Sequence, residues 1–249
     1  MPIPLEIAVA TAREAGALLH EHFIGERTVN EFAAHDIKLE LDVRAQDLIE
    51  NRLLAAFPEH AFLGEEGSTG QTDSEFQWIV DPLDGTVNYF YGIPHFCVSI
   101  GLRRGQELIL GVIYDPMRDE LWQAERGGGA WLNGRRVEVS KRDNPGDAVV
   151  TIGFAKSGAT INAGLPLLER LVHKVRKCRM MGSAALDMAY VATGRLDAYI
   201  EQGISLWDMA AGWVIVEEAG GKMEVTERAD APGKYSVAAS SGRIDFTAL

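Results

Sequence analysis

Apolar residues at Leu5, Val9, Ala12, Gly16, Leu19 and Phe23 recur every three or four positions, so the chain opens on an amphipathic helix with one buried face. A second helix is predicted over 42–57, with Ala45, Leu48, Ile49, Leu53 and Ala56 on one side and Pro58 as its stop. The period then changes. Short extended segments at 61–63, 77–80, 96–103, 108–114 and 120–124 are joined by glycine or charged turns, and successive strands without helices between them suggest antiparallel pairing. After Asn133-Gly134, a strong hairpin signal, strand and helix alternate over 148–153, 165–172, 179–181, 183–192, 196–201, 207–219, 222–225 and 235–239. No repeat and no low-complexity linker separates the two patterns. The chain therefore divides into an α+β half over 1–140 and an α/β half over 141–249, one compact unit with a shared cleft.

At 249 residues the chain is long enough to bury a substantial core. Its apolar stretches fall far short of the roughly 20 residues that a membrane-spanning helix needs. No basic segment precedes an apolar core at the N-terminus, so the protein is read as cytoplasmic, without a membrane partner. Cys97 and Cys178 are the only cysteines, too far apart in sequence for a zinc spacing, and read as buried free thiols. A formal charge of −12 argues against nucleic acid as a partner. It would also repel an anionic substrate, so any phosphate chemistry in this chain requires bound cations to reverse the local sign.

The chemistry starts at Trp78-Ile79-Val80-Asp81-Pro82-Leu83-Asp84-Gly85-Thr86, where an apolar run ends in two carboxylates three apart. A buried aspartate is costly to desolvate, and a second one beside it adds repulsion, unless a cation or hydrogen bonds hold both. Pro82 fixes the exit from the strand, and Gly85 lets the backbone approach a ligand. Gly85 and Thr86 could offer amides to an anion at the start of a helical turn. The competing reading is an Asx-type turn after a strand.

Further acids sit in similar places. Asp208 is the one charge near the start of a helix, Trp207-Asp208-Met209-Ala210-Ala211-Gly212-Trp213-Val214-Ile215-Val216, that is apolar on nearly every side; it is either an N-cap or a functional group. Phe62-Leu63-Gly64-Glu65-Glu66-Gly67 repeats the strand-then-acid pattern, and only one of its two glutamates can easily face a given site. Asp42 could be the N-cap of the second helix and Asp36 a turn former. Together these acids are harder to dismiss than singly.

In order, Asp36 and Asp42, Gly64-Glu65-Glu66, Asp81 to Asn88, and Trp207 to Gly221 closely resemble the inositol monophosphatase family of magnesium-dependent, lithium-sensitive phosphomonoesterases, over nearly the whole chain. Met181-Gly182-Ser183-Ala184-Ala185 and Tyr199-Ile200-Glu201 resemble its substrate-side segments. The resemblance implies a layered αβαβα sandwich, with a largely antiparallel N-terminal sheet and a mixed, mostly parallel C-terminal one. It implies a homodimer and hydrolysis of a small phosphorylated polyol or sugar, most often myo-inositol monophosphate, by metal-activated water. Glu65, Asp81 and the Leu83 carbonyl would hold one Mg2+, and Asp81, Asp84 and Asp208 a second. Glu65 would also share a third, weaker ion. Thr86, held by Asp42, would orient the water, and the amides of Gly85 and Thr86 would grip the phosphate. Asp84 and Asp208 would stay beside the substrate, with Gly182, Ser183, Ala184 and Glu201 facing its alcohol.

The chain departs from the family pattern at Asp36-Ile37-Lys38-Leu39, where Leu39 replaces a threonine, and at Glu31, where a lysine is common. Both bear on the third ion. The family's final helix is expected to be short or missing. Fructose 1,6-bisphosphate or histidinol phosphate are alternative substrates for the same centre, and a second phosphate would need a basic contact such as Arg179 or Lys156. A non-catalytic anion- or protein-binding descendant is the remaining alternative; it would be expected to have lost one of Glu65, Asp81, Asp84, Thr86 or Asp208, and none is lost. The six histidines form no metal-ligand pattern. Asp187, amid apolar neighbours, is expected to pair with Arg179 or Arg195.

Overall fold

The computed structural model describes residues 3–25, 29–33, 36–70, 74–154, 158–246 and 248–249, with the backbone alone for 29–33 and 36–38. Lys156 lies outside these residues, and Glu31 and Asp36 are described only as backbone. The chain runs α1 (Pro4–His22), β1 (Val29–Ala33), β2 (Asp36–Leu39), α2 (Glu40–Ala56), β3 (Ala61–Gly64), β4 (Gly67–Thr69), β5 (Phe76–Asp84) and α3 (Thr86–Phe90). It continues as β6 (Cys97–Arg104), β7 (Glu107–Asp115), β8 (Glu120–Glu125), β9 (Gly129–Leu132) and β10 (Arg135–Val137). The remainder is β11 (Val149–Phe154), α4 (Gly158–Val172), β12 (Lys177–Arg179), α5 (Ala184–Ala192), β13 (Ala198–Ile204), α6 (Leu206–Glu218), β14 (Lys222–Glu227) and β15 (Tyr235–Ser240).

Strands β3 to β10 form one sheet in the order β10-β9-β8-β7-β6-β5-β3-β4, antiparallel except where β3 joins β5. The second sheet runs β12-β11-β13-β15-β14. Its pairings are parallel among β12, β11 and β13 and antiparallel from β13 through β15 to β14. Helices α1 and α2 cover the outer face of the larger sheet, α5 and α6 fill the space between the sheets, and α4 covers the outer face of the smaller one. This is the expected αβαβα layering. Three apolar cores follow from it, one around the helical middle layer between the two sheets, one beneath α1 and α2, and one beneath α4. No helix follows β15 among the described residues; Ile244 and Phe246 are instead buried in the core beneath α4. No described helix is long and apolar enough to cross a membrane.

Close packing depends on residues without bulk. The buried stripe of α1 consists of Ala8, Thr11, Ala12, Ala15, Gly16 and Leu19, and a Cβ on Gly16 would stand 2.5 Å from the Tyr114 ring. Helix α6 is apolar on nearly all sides, as its sequence requires, and lies directly on the larger sheet where Gly101 of β6 pairs with Gly111 of β7. A Cβ at Gly111 would fall 2.3 Å from the Ala211 carbonyl oxygen, and one at Gly101 would fall 3.0 Å from Ala210 Cβ. On another side of the helix, Gly212 receives Met188 of α5. The helix that carries Asp208 is thus wedged in place by glycines on the neighbouring strands.

Gly111→Ala forces backbone against backbone, because the obstructing atoms belong to the main chain of α6 and cannot rotate away. The expected loss is about 1–3 kcal/mol of folding stability. Urea denaturation measures it as a lower midpoint at unchanged slope, and an unaltered midpoint would show that α6 shifts freely on the sheet.

Candidate active site

In a regular strand, residues three apart point to opposite faces, so Asp81 and Asp84 should diverge. They do not, because β5 carries an extra residue between them: Asp81 lies opposite Ser99, and Asp84 lies opposite Cys97. Three steps on β5 match two on β6. This bulge restores the parity of the two side chains, and Pro82, which has no amide to contribute to a ladder, lies inside it. The strand therefore extends through Asp84 rather than ending at Val80.

Glu65 arrives from the parallel neighbour. It follows β3 directly, and its amide donates to the Val80 carbonyl at 3.2 Å, beside Asp81. The adjoining turn is shaped by Gln46, whose Oε1 accepts the Glu66 amide at 2.9 Å. A Cβ on Gly64 would stand 2.1 Å from that oxygen, so glycine is required there. Asp208 stands at the third position of α6 and reaches back, its Oδ2 accepting the Ser205 amide at 2.6 Å. Asp42 makes the same closure on α2, accepting the Leu39 amide at 2.7 Å. Neither aspartate is an N-cap. Each is an acid of the first turn that satisfies the backbone before it.

These elements surround a cleft of about 810 Å³ lined by Glu65, Asp81, Leu83, Asp84, Gly85, Thr86, Gly182, Ser183, Ala184, Glu201 and Asp208. Of the metal, catalytic and substrate residues expected from the resemblance, Asp42 alone is not on its wall; it lies buried in α2. Thr86 is not held as expected. Its hydroxyl gives its one proton to the Leu83 carbonyl at 2.9 Å rather than to Asp42.

Asp84 is gripped from across the molecule. Its Oδ2 accepts from Ser183 Oγ at 2.6 Å and from the Ala185 amide at 2.7 Å, and its Oδ1 from the Ala184 amide at 3.3 Å. These donors open α5, so a carboxylate of the larger sheet caps a helix of the middle layer. Burial nevertheless pushes its pKa up to about 6, with Glu65 adding repulsion against the pull of those bonds. Asp81, 2% exposed, is held well above the ordinary carboxylate range, first by burial and then by the charges of Glu65, Asp84 and Asp208. Its bond from the Leu83 amide, at 3.0 Å, opposes that shift. Cys97 lies behind Asp84, its sulfur 3.8 Å from Asp84 Oδ2 and from Ser183 Oγ.

Four hard oxygen donors in one cleft, repelling one another, are a donor set that suits a hard divalent cation. The fit lies in donor chemistry and unbalanced charge. Among the described residues no three acids are gathered into a finished metal cage.

The opposite wall begins with Gly182, whose φ of +81° needs glycine. It is tied to α3 by Asn88, whose Nδ2 donates to the carbonyls of Met181 and His95, each at 2.8 Å. Glu201 accepts the Tyr199 hydroxyl at 2.6 Å. It stands beside Gly153 in register, where a Cβ would come within 1.6 Å of Glu201 Oε2. Gly153 was not singled out in the sequence, and Asn88 and Tyr199 stood in the motifs without a role, because what they do arises from strand pairing and loop closure. Asp187 also differs from expectation. Arg195 pairs with Glu120 and Arg179 bonds the Cys178 carbonyl, while Asp187 lines the cleft with one oxygen lacking a hydrogen-bond partner among the described residues. Burial, then Asp84, raises its pKa well above the usual range.

A family model described as the inositol monophosphatase family matches residues 4–247. The "Nus factor SuhB" of Xylella fastidiosa is 41% identical over 231 residues, covering 92% of this chain and 84% of that protein. The "Inositol-1-monophosphatase" of Rhizobium meliloti is 42% identical over 222 residues, covering 87% and 83%. Among solved structures, the extragenic suppressor protein suhB of Bartonella henselae superposes with a TM-score of 0.89 at 37% identity, covering 97% of this chain and 95% of that one. Matched in sequence over that span and in fold over nearly all of its length, the chain belongs to the inositol monophosphatase family and is a phosphatase of the hydrolase class.

Proposed function

We propose that the cleft hydrolyses the phosphomonoester of a small polyol, with myo-inositol monophosphate as the favoured substrate, by direct attack of water in the presence of Mg2+. The observation that carries this reading is the convergence of Glu65, Asp81, Asp84 and Asp208 on one cleft beside Gly85 and Thr86. A relative named an inositol-1-monophosphatase, 42% identical, supports the choice of ester.

Glu65, Asp81 and the Leu83 carbonyl would hold one ion, and Asp81, Asp84 and Asp208 a second. Glu65 would share a third, weaker one. The Leu83 carbonyl has two lone pairs, so the bond from Thr86 leaves one for a cation. When bound, Mg2+ supplies the charge that makes water nucleophilic near neutral pH and offsets the leaving alkoxide. Thr86, its proton already committed to Leu83, keeps an oxygen that accepts a hydrogen bond and so orients the attacking water. The amides of Gly85 and Thr86 bind the phosphate. Asp42 acts one step back, by fixing the start of α2. On the alcohol side, Gly182 and Ala184 shape the pocket and Glu201 accepts from hydroxyls, while the Ser183 hydroxyl is engaged by Asp84. Assembly as a homodimer is part of the same reading.

Asp84→Asn removes one charge from the proposed second ion site and is expected to lower kcat on the order of 100-fold or more, since a metal's charge stabilisation is worth several kcal/mol. Wild-type turnover at saturating Mg2+ would take Asp84 out of the reaction. Glu201→Ala is expected to change the ranking of polyol phosphates in kcat/KM; equal losses on unrelated alcohols would contradict its role.

The raised pKa of Asp84 has a definite sign. The native state binds that proton more tightly than the unfolded chain, so this group's contribution to stability falls as pH rises from about 4 to about 6 and stays low above that range. Cations bind the deprotonated form. Mg2+ is therefore expected to raise Tm more at about pH 7.5 than at about pH 5, and Asp84→Asn to shrink that difference. Equal shifts at both pH values would remove the buried carboxylates as the cation's ligands.

A further inference from the structure

The turn between β14 and β15 brings two basic side chains, Arg228 and Lys234, onto the wall of a cleft whose other charged groups are mostly acidic. It is not a loose rim. The Arg228 amide donates to the Lys234 carbonyl at 2.8 Å, the Lys234 amide to Ala231 at 3.0 Å, and the Gly233 amide to Glu227 Oε1 at 2.9 Å. Arg228 is spent on Asp230, which it meets with Nε and Nη2 at 3.1 and 2.7 Å. The net positive charge of the turn therefore rests on Lys234.

Lys234 Nζ donates to Ser205 Oγ at 2.5 Å and stands 5.8 Å from the centre of the Trp207 ring. An ammonium carries three donors. Among the described residues neither of the other two finds an acceptor, and no carboxylate pairs with the charge. Its position is on the alcohol side. Tyr235, the next residue, lies opposite Ile204 at the end of β13, the strand that carries Glu201. Glu201 is suited to accept from hydroxyls. A pre-positioned cation without a counter-charge is suited to an anion, because charge-assisted bonds are about twice as strong as neutral ones. Arg179, the alternative considered from sequence, does not line the cleft.

We propose that Lys234 is a specificity-determining residue whose ammonium binds a second anionic group, phosphate or carboxylate, on the alcohol part of the ester. The enzyme then takes phosphomonoesters that carry such a group as well as neutral polyol phosphates. This rests on the functional reading above for which end of the cleft receives the alcohol.

The test uses matched pairs: glycerol phosphate against phosphoglycerate for a carboxylate, and fructose monophosphate against fructose bisphosphate for a phosphate. Steady-state rates of the full chain with Mg2+ are compared for wild type, Lys234→Gln and Lys234→Arg. Lys234→Gln is expected to lose kcat/KM on the anionic member of at least one pair by roughly 10- to 100-fold more than on its neutral member, mainly through KM. Lys234→Arg should restore most of that ratio. The pair that responds identifies the anion. Equal losses on both members of both pairs would make Lys234 a structural support for α6 and overturn the proposal, as would no loss on any ester. Should wild type hydrolyse none of the four, the polyol-phosphatase reading falls separately. Lys234 is then judged by whether phosphoglycerate raises Tm more than glycerol phosphate does in wild type but not in Lys234→Gln; equal shifts in both proteins overturn it.

Discussion

The structure is organised around the cost of burying carboxylates that repel one another. Asp81 and Asp84 are almost fully enclosed, and Glu65 and Asp208 face the same cleft. Removing such charges from water is expensive unless hydrogen bonds or counter-ions offset it. Asp81 takes an amide from its own bulge, Asp208 one from the start of α6, and Asp84 two amides and a hydroxyl from the start of α5. The bonds on Asp84 also tie the larger sheet to the middle layer. The cost of burial that they leave unrelieved, with mutual repulsion added to it, raises the pKa values of Asp81 and Asp84 and favours the binding of a cation.

That arrangement demands accuracy from parts of the molecule that carry no charge. Asp208 can reach the cleft beside Asp81 only if α6 lies at the correct depth, and the depth is set by Gly101 and Gly111 beneath it and by Met188 against Gly212. A methyl group at Gly111 would act at a distance from the chemistry, through the position of the helix. Gly64 and Gly153 serve the cleft in the same way, one making room for Gln46 and the other for Glu201.

The long elements were legible in the sequence because periodicity is a local property: α1, α2, α5 and α6 follow from apolar spacing, and Asn133-Gly134 from turn chemistry. Several strands of three to five residues, among them β1, β4, β9 and β10, were missed because so few positions cannot display a period, although the equally short β3 was placed. The bulge at Pro82 was also hidden. A proline between two aspartates marks an irregularity, but the shift that turns both carboxylates to one side depends on which residues of β6 lie opposite. Asp42 and Asp208 were recognisable as acids at helix starts, yet whether each capped its helix or reached back from the first turn depended on where the helix began. The arginine expected for Asp187 was a guess about tertiary pairing, and both candidate arginines are engaged elsewhere.

The same distinction separates the two ends of the cleft. The proposed cation ligands lie in short motifs that can be read one by one, Asp81 and Asp84 at one strand end, Glu65 after another and Asp208 in the first turn of α6. The proposed alcohol end is assembled from β11, β13, the approach to α5 and the β14–β15 turn, elements distant in sequence. Asp84 joins the two ends, since the amides that hold it belong to the segment that borders the proposed alcohol pocket. A change in the first turn of α5 therefore alters the proposed metal site and the substrate wall together, whereas the β14–β15 turn touches the wall through Lys234 and Ser205 without bonding to Asp81 or Asp84. On the proposed reading, substrate preference can diverge at that turn while the reaction centre stays fixed.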